Sequence, residues 1–181
     1  MIEYYTIKHK GGEEEYSDRL FMNYSSTVTI MLLYSSKSQK FYAPHSDAIE
    51  AKIKECTGKE FEEVIEETEK MVPDDCDYML ININDNRIKV DRHGRVYAYI
   101  VKNGELKLLP NGTFSLEDED RIVCGTYSFF DKLSDPAILS DALTSISSEE
   151  WMDNLICRIS EQTMLAGDNL TGITMIVRSD D

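Results

Sequence analysis

The sequence has few basic residues: 19 lysines and arginines stand against 34 aspartates and glutamates, a formal net charge of −15 at pH 7. This charge excludes nucleic acid and acidic membrane surfaces as expected partners, because both are bound through lysine and arginine side chains that neutralise phosphate. The chain also lacks the roughly 20 consecutive apolar residues of a membrane-spanning helix. Its N-terminus has neither a basic start nor a central apolar block, so we recognise no secretory signal and predict a cytoplasmic protein.

Cysteines are few and scattered. Cys56, Cys76, Cys124 and Cys157 show neither Cys-x-x-Cys nor Cys/His spacing, which argues against a zinc site or a disulfide framework and favours buried free thiols. Repeats, linkers and low-complexity tracts are absent as well. With 181 residues, 41% of them hydrophobic, the chain has enough apolar material for a core, and we predict one domain over residues 1–181.

Short runs rich in Val, Ile, Tyr and Thr recur along the chain and predict β-strands. They cover residues 2–8, 19–24, 27–33, 78–83, 87–90, 96–101, 106–109, 121–124 and 173–178. Asn103-Gly104 and Asn111-Gly112 each predict a two-residue hairpin turn, because the favoured turns need positive φ at both central positions. The middle of the chain is therefore expected to form an antiparallel meander.

Four segments have a helical pattern, over residues 46–56, 61–72, 135–146 and 148–165. Pro136 suits the first turn of the third helix, and Ser148 is expected to cap the fourth. Six glutamates between Glu60 and Glu69 cover one face of the second helix. They diverge around the helix, which indicates a solvated surface and not a metal site. The pattern predicts an α+β domain with helices outside paired antiparallel sheets.

Four blocks of sequence share the order of motifs found in one enzyme family. They are Glu-Glu-Glu-Tyr-Ser-Asp-Arg at 13–19, residues 77–99 ending in Gly-Arg-Val-Tyr-Ala-Tyr, the segment 116–135 with Tyr-Ser-Phe-Phe-Asp-Lys-Leu-Ser-Asp, and Ala-Gly-Asp-Asn-Leu-Thr-Gly at 166–172. Together they resemble the PPM-type (type 2C) metal-dependent protein serine/threonine phosphatases over almost the whole chain. The resemblance implies a sandwich of two antiparallel β-sheets flanked by α-helices. A hairpin over 107–117 would replace the flap segment of active relatives, giving a minimal version of the fold.

Active members of the family use two divalent ions, bridged by the Asp of an Asp-Gly motif, to generate the hydroxide that attacks a phosphoserine or phosphothreonine. Here Tyr34-Ser35 and Tyr127-Ser128 stand where the two Asp-Gly pairs are expected. Ser17 replaces the Glu of the Asn-Glu-Asp motif, and Glu13 stands at the phosphate-holding Arg. The resemblance therefore implies a degenerate pocket formed by Glu13, Ser17, Asp18, Tyr34, Ser35, Tyr127, Ser128, Asp168 and Asn169.

A tyrosine phenol, with a reference pKa of about 10, is neutral at pH 7 and cannot replace the charge of a carboxylate. We expect the rings of Tyr34 and Tyr127 to fill the pocket and their hydroxyls to reach Asp18 or Asp168. We therefore expect no metal or other cofactor and assign no catalytic residue. Asp168 and Asp18 are the remaining candidate ligands, and each also suits a purely structural role in a turn or as a loop cap.

Three functions stay open at this point. The leading hypothesis is a pseudophosphatase, an inactive phosphatase-like domain that binds a protein partner such as a kinase or a phosphoprotein, with a basic patch facing this acidic chain. The alternative is an atypical metal-dependent serine/threonine phosphatase with a reduced Mn²⁺ or Mg²⁺ site built from Asp168, Asp18 and Asp131. The third is a structural domain that assembles with itself. The first is preferred because both Asp-Gly pairs, the Glu and the Arg are lost together.

Overall fold

The computed structural model describes residues 1–24, 27–34, 43–56, 59–72, 76–163 and 167–179. In these ranges the chain forms ten strands and five helices. The strands are β1 (Ile2–His9), β2 (Arg19–Tyr24), β3 (Val28–Tyr34), β4 (Asp77–Asn84), β5 (Arg87–His93), β6 (Val96–Lys102), β7 (Glu105–Leu108), β8 (Gly112–Ser115), β9 (Arg121–Thr126) and β10 (Leu170–Val177). The helices are α1 (Ala43–Glu55), α2 (Phe61–Met71), α3 (Tyr127–Phe130), α4 (Asp135–Thr144) and α5 (Ser148–Thr163).

The strands form two five-stranded antiparallel sheets, with orders β1-β10-β9-β6-β7 and β2-β3-β4-β5-β8. Helices α1 and α2 pack on the outer face of the second sheet, and α4 and α5 pack on the outer face of the first. This architecture confirms the predicted fold class, two antiparallel sheets flanked by helices. No helix in the described ranges combines the length and apolar character needed to cross a membrane.

Strand β3 shows how the sequence positions both faces of a sheet. Successive side chains of a strand point to opposite faces. Ile30, Leu32 and Tyr34 accordingly join the core between the two sheets. Met31 and Leu33 instead pack against α1 and α2 on the outer face. The strand therefore places the Tyr34 ring in the space between the sheets, at the point where β3 ends.

Helix α2 confirms the predicted solvated glutamate face. Its buried positions are Phe61, Val64 and Thr68, which lie on one side of the helix. The intervening glutamates are exposed or half-buried, as expected for the outer helix of a layered domain.

The connection between β7 and β8 departs from the prediction. Asn103-Gly104 does form a hairpin turn, with positive φ at both residues. The predicted hairpin at Asn111-Gly112, and with it the one over 107–117, is wrong because the chain leaves β7 at the edge of one sheet and enters the other sheet as β8. Strand β8 itself was not predicted. The middle of the chain is thus a pair of hairpins divided between two sheets and not one continuous meander.

Two smaller predictions also need correction. The N-terminus of α5 is capped by Ser147, whose Oγ accepts the Glu150 N–H at 3.1 Å, and not by Ser148. Ser148 is buried, and its N–H donates to Glu3 on β1. Of the four cysteines, which are all free, Cys157 is exposed whereas the other three are buried as predicted.

Candidate functional site

The candidate site lies where the end of β3 meets the β9–α3 junction and the loop before β10. Tyr34, the last residue of β3, is 2% exposed because its side chain points into the space between the sheets. Its hydroxyl donates a hydrogen bond to Asp168 Oδ2 at 3.2 Å and lies 3.3 Å from Ser128 Oγ. The structure therefore brings together three of the predicted site residues, Tyr34, Ser128 and Asp168.

The Tyr34 hydroxyl stays protonated in this environment. Burial raises its pKa to about 12, and the negative charge of Asp168 acts in the same direction because it disfavours a phenolate nearby. At neutral pH the group is thus an uncharged donor. It provides none of the anionic oxygen that a divalent cation prefers in a ligand.

Arg95, immediately before β6, adds a positive charge to the same site. Its guanidinium carbon lies 5.4 Å from the centroid of the Tyr34 ring and 5.9 Å from that of Tyr127. Its Nε forms an ion pair with Asp77 Oδ2 at 3.2 Å, and Asp77 is the cross-strand partner of Tyr34. The cation is therefore held against two aromatic rings and a largely buried carboxylate.

Gly94 permits the approach of Arg95 to Asp77. It has φ +76°, and a Cβ at this position would lie 1.8 Å from Asp77 Oδ1. Our sequence prediction did not include Arg95 or Asp77. Both residues lie within the block 77–99 that carries the resemblance, so their region was identified but their place in the site was not.

Tyr127 does not fill the pocket, so this part of the prediction was wrong. The residue begins α3, its backbone N–H donates to the Arg95 carbonyl at 2.9 Å, and its side chain is 40% exposed. The hydroxyl donates to Asp131 Oδ1, one helical turn further on, at 2.8 Å. This hydrogen bond to the Asp131 carboxylate raises the pKa of Tyr127. Tyr127 is thus on the rim of the site, and Tyr34 alone of the two enters it.

Asn169 organises the loop that precedes β2. It is fully buried, and its Oδ1 accepts the Ser17 N–H at 2.7 Å, the Ser17 hydroxyl at 3.1 Å and the Asp18 N–H at 3.2 Å. Its Nδ2 donates to the carbonyls of Lys10 and Glu15. Every polar atom of the amide therefore binds the 10–18 loop, which gives Asn169 a structural role in holding Ser17 and Asp18 in place.

The two surviving acids lie in different hydrogen-bond networks. Asp18 is fully buried, and its Oδ2 accepts the Thr171 hydroxyl at 2.7 Å. Thr171 Oγ1 also lies 2.7 Å from the hydroxyl of Tyr16, whose pKa is raised by burial. Asp168 instead accepts the N–H of its neighbour Asn169 through Oδ1 and the Tyr34 hydroxyl through Oδ2.

The last two predicted site residues are Glu13 and Ser35. Glu13 lies on the loop before β2, where it is half-buried and its N–H donates to the Lys10 carbonyl at 3.2 Å. Ser35 lies outside the described residues.

Among the residues that the structure describes, the side chains around Tyr34 do not fit a pair of divalent metal ions. The groups that converge at Tyr34 are two hydroxyls and the Asp168 carboxylate, whereas Mg²⁺ and Mn²⁺ are held by several anionic oxygens. Within the described ranges no three His, Cys, Asp or Glu side chains form a group able to hold a metal. Asp131 is bound by Lys132 and Tyr127, which together lower its pKa.

Several solved structures share this architecture. The S. agalactiae serine/threonine phosphatase superimposes with a TM-score of 0.77 at 15% identity, covering 98% of this chain and 100% of its own. RsbX in complex with magnesium gives 0.76 at 20% identity, covering 97% and 94%. The catalytic domain of the serine/threonine phosphatase PstP, in complex with two manganese ions, gives 0.72 at 14% identity, covering 98% and 99%.

At these identities the similarity establishes the fold: this chain has the two-sheet fold of the PPM-type serine/threonine phosphatases. No family model and no curated protein matches the sequence. Magnesium and manganese are bound by neighbours with this fold, and the donor set around Tyr34 differs from what such ions require.

Proposed function

We propose that this chain is a catalytically inactive, cytoplasmic phosphatase-like domain that acts as a protein-binding or regulatory module. One observation carries the proposal: the neutral hydroxyl of Tyr34 is bonded to Asp168, at the position where the resemblance places a bridging carboxylate. A metal-activated hydroxide requires cations held at that point. Asp168 is an acceptor for Tyr34, and among the described residues the Asp77 carboxylate near Tyr34 is ion-paired with Arg95.

The charge at the site supports the same proposal. Arg95 lies over the Tyr34 ring and forms an ion pair with Asp77. The Arg95 guanidinium beside Tyr34 repels a divalent cation, and its ion pair with Asp77 keeps it at this point. The Tyr34–Asp168 hydrogen bond and the Arg95–Asp77 ion pair therefore take up the polar groups that a metal centre would use.

The acidic character of the chain points to the chemistry of its partner. With a net charge of −15, association is fastest with a protein that presents a basic patch. A kinase or a phosphoprotein with such a patch fits the regulatory role that we propose for a phosphatase fold without phosphatase chemistry.

Calorimetric titration with Mn²⁺, together with a generic phosphomonoester assay, tests the proposal. We expect no binding heat and no turnover above buffer, and the catalytic domain of PstP, which binds two manganese ions, serves as the positive control for both. Micromolar Mn²⁺ binding and turnover that are both lost in Asp168→Asn would overturn the proposal and establish an atypical phosphatase.

Two variants of Tyr34 sharpen the test. Tyr34→Phe keeps the ring and removes the hydroxyl, so it should bind no more Mn²⁺ than the parent chain. Tyr34→Asp places a second carboxylate opposite Asp168 and should create a measurable Mn²⁺ affinity, because two anionic ligands then face one point. Circular dichroism verifies that both variants are folded. If the parent chain already binds Mn²⁺ as tightly as Tyr34→Asp does, the tyrosine does not block the site.

A further inference from the structure

The end of helix α4 carries an exposed apolar surface. Leu143 is 55% exposed and Ile146, three residues further along, is 82% exposed. Leu143 also lines a cavity of about 330 Å³ whose other walls are the β6–β7 turn and residues 117–121. We call Leu143, Ile146 and this cavity the α4-end surface. Of the two exposed apolar side chains, Leu143 lines the cavity and Ile146 follows it in the loop after α4, and grouped exposed apolar side chains are typical of an interaction site.

Two arginines hold the α4-end surface in a fixed arrangement. Arg121 donates through Nη1 to the carbonyls of Ala142 and Ser145, the latter at 2.7 Å. Arg178 donates to the carbonyl of Ile146 at 2.9 Å. The two apolar side chains are therefore presented by a backbone that is anchored on both sides, which lowers the entropy cost of binding a partner.

Carboxylates form the outer layer around these apolar residues. Glu117 is 65% exposed, whereas its ion-pair partner Lys102 is 22% exposed. Glu119 is likewise more exposed than Arg121 and Arg178, the two more buried arginines with which it forms ion pairs. The basic groups thus lie beneath the acidic ones, so an approaching molecule meets carboxylates first.

We infer that the α4-end surface binds a segment of a partner protein in which lysine or arginine alternates with bulky apolar residues. The apolar side chains of the partner would contact Leu143 and Ile146, and its cations would lie against Glu117 and Glu119. Charge complementarity selects this occupant, because the outer layer is acidic and the whole chain carries a charge of −15. The inference rests on the proposed function, that the chain binds a protein. Its failure would leave the Mn²⁺ and turnover measurements unchanged.

A labelled synthetic peptide of alternating lysine and leucine is the probe, with affinity measured by fluorescence anisotropy and the contact site mapped by amide chemical shifts. We expect shifts concentrated in residues 103–104, 117–121 and 142–146. The double variant Leu143→Ser/Ile146→Ser should weaken binding about tenfold, as expected for apolar anchor residues. Both side chains are exposed, so the fold should be retained. Ile146→Ser alone provides a second test if the double variant unfolds.

Charge variants distinguish binding to the α4-end surface from non-specific attraction of the basic peptide to the acidic chain. Glu117→Gln/Glu119→Gln should weaken binding about threefold and reduce its salt dependence. Glu63→Gln/Glu66→Gln on the exposed face of α2 removes the same charge elsewhere and should leave the affinity unchanged. An equal loss in both pairs, or an unaltered affinity in the Leu143/Ile146 variant, would overturn the inference. So would sedimentation showing that the chain self-associates through Leu143 and Ile146, since the surface would then bind a second copy.

Discussion

Arg95→Met tests whether the cation at the candidate site is part of the fold's stability. The substitution removes the ion pair with Asp77, which is 7% exposed, and both ring contacts while keeping an apolar stem. Leaving a buried carboxylate without its charged partner costs about 1.5–3 kcal/mol. The two cation–π contacts add about 0.5 kcal/mol each at a partly exposed site. We therefore expect the free energy of unfolding to fall by about 2.5–4 kcal/mol.

Urea denaturation followed by circular dichroism measures this loss, with Arg87→Met as the matched control. Arg87 is exposed on β5, so its replacement should change stability by less than about 0.5 kcal/mol. Adding Asp77→Asn to Arg95→Met should recover part of the loss, because the buried charge is removed together with its partner. If Arg95→Met is no more destabilising than Arg87→Met, the cation does not stabilise this site.

Three further predictions follow from the same network. Tyr34→Phe should lower the free energy of unfolding by about 1–2 kcal/mol in urea titrations, because Asp168 loses a hydrogen-bond donor. Tyr127→Phe is the control: its hydroxyl is at the surface, so the free energy of unfolding should change by less than about 0.5 kcal/mol. The raised pKa of Tyr34, about 12, implies stabilisation that is complete below pH about 10 and lost as the pH rises towards 12, with a slope of about 1.4 kcal/mol per pH unit. Urea titrations across this range should show a steeper decline for the parent chain than for Tyr34→Phe, and parallel declines would contradict the assignment. Asn169→Ala should lower the free energy of unfolding by about 3 kcal/mol and make the 10–18 loop susceptible to proteolysis. A loop that proteases cleave no faster than in the parent chain would refute the anchoring role.

Most strands and helices could be predicted because their signal is local. Alternation in β3 places Tyr34 on the inner face, and the apolar stripe of α2 places its glutamates outside. The crossing between β7 and β8 could not be predicted in this way. Asn111-Gly112 has the composition of a hairpin turn, but the sheet joined by the next strand is decided by long-range pairing with β5.

The end of β3 could be predicted from the sequence, whereas Arg95 and Asp77 were missed. The position of Tyr34 at the end of β3 was correct, because strand direction and period determine it. The outward turn of Tyr127 depends on a hydrogen bond to Asp131 that forms only once α3 is in place. The contacts of Arg95 with Tyr34 and Asp77 join residues that are distant in sequence, so no local pattern reveals them.

The dependence of stability on Mn²⁺ tests the central claim most directly, that Tyr34 and Arg95 leave no place for a metal pair. Unfolding should be measured in urea with Mn²⁺ and, separately, with a chelator. We predict the same free energy of unfolding in both. A site with micromolar affinity would add about 4 kcal/mol at a Mn²⁺ concentration about 1,000-fold above its Kd. A stabilisation of that size, abolished by Asp168→Asn, would contradict the account.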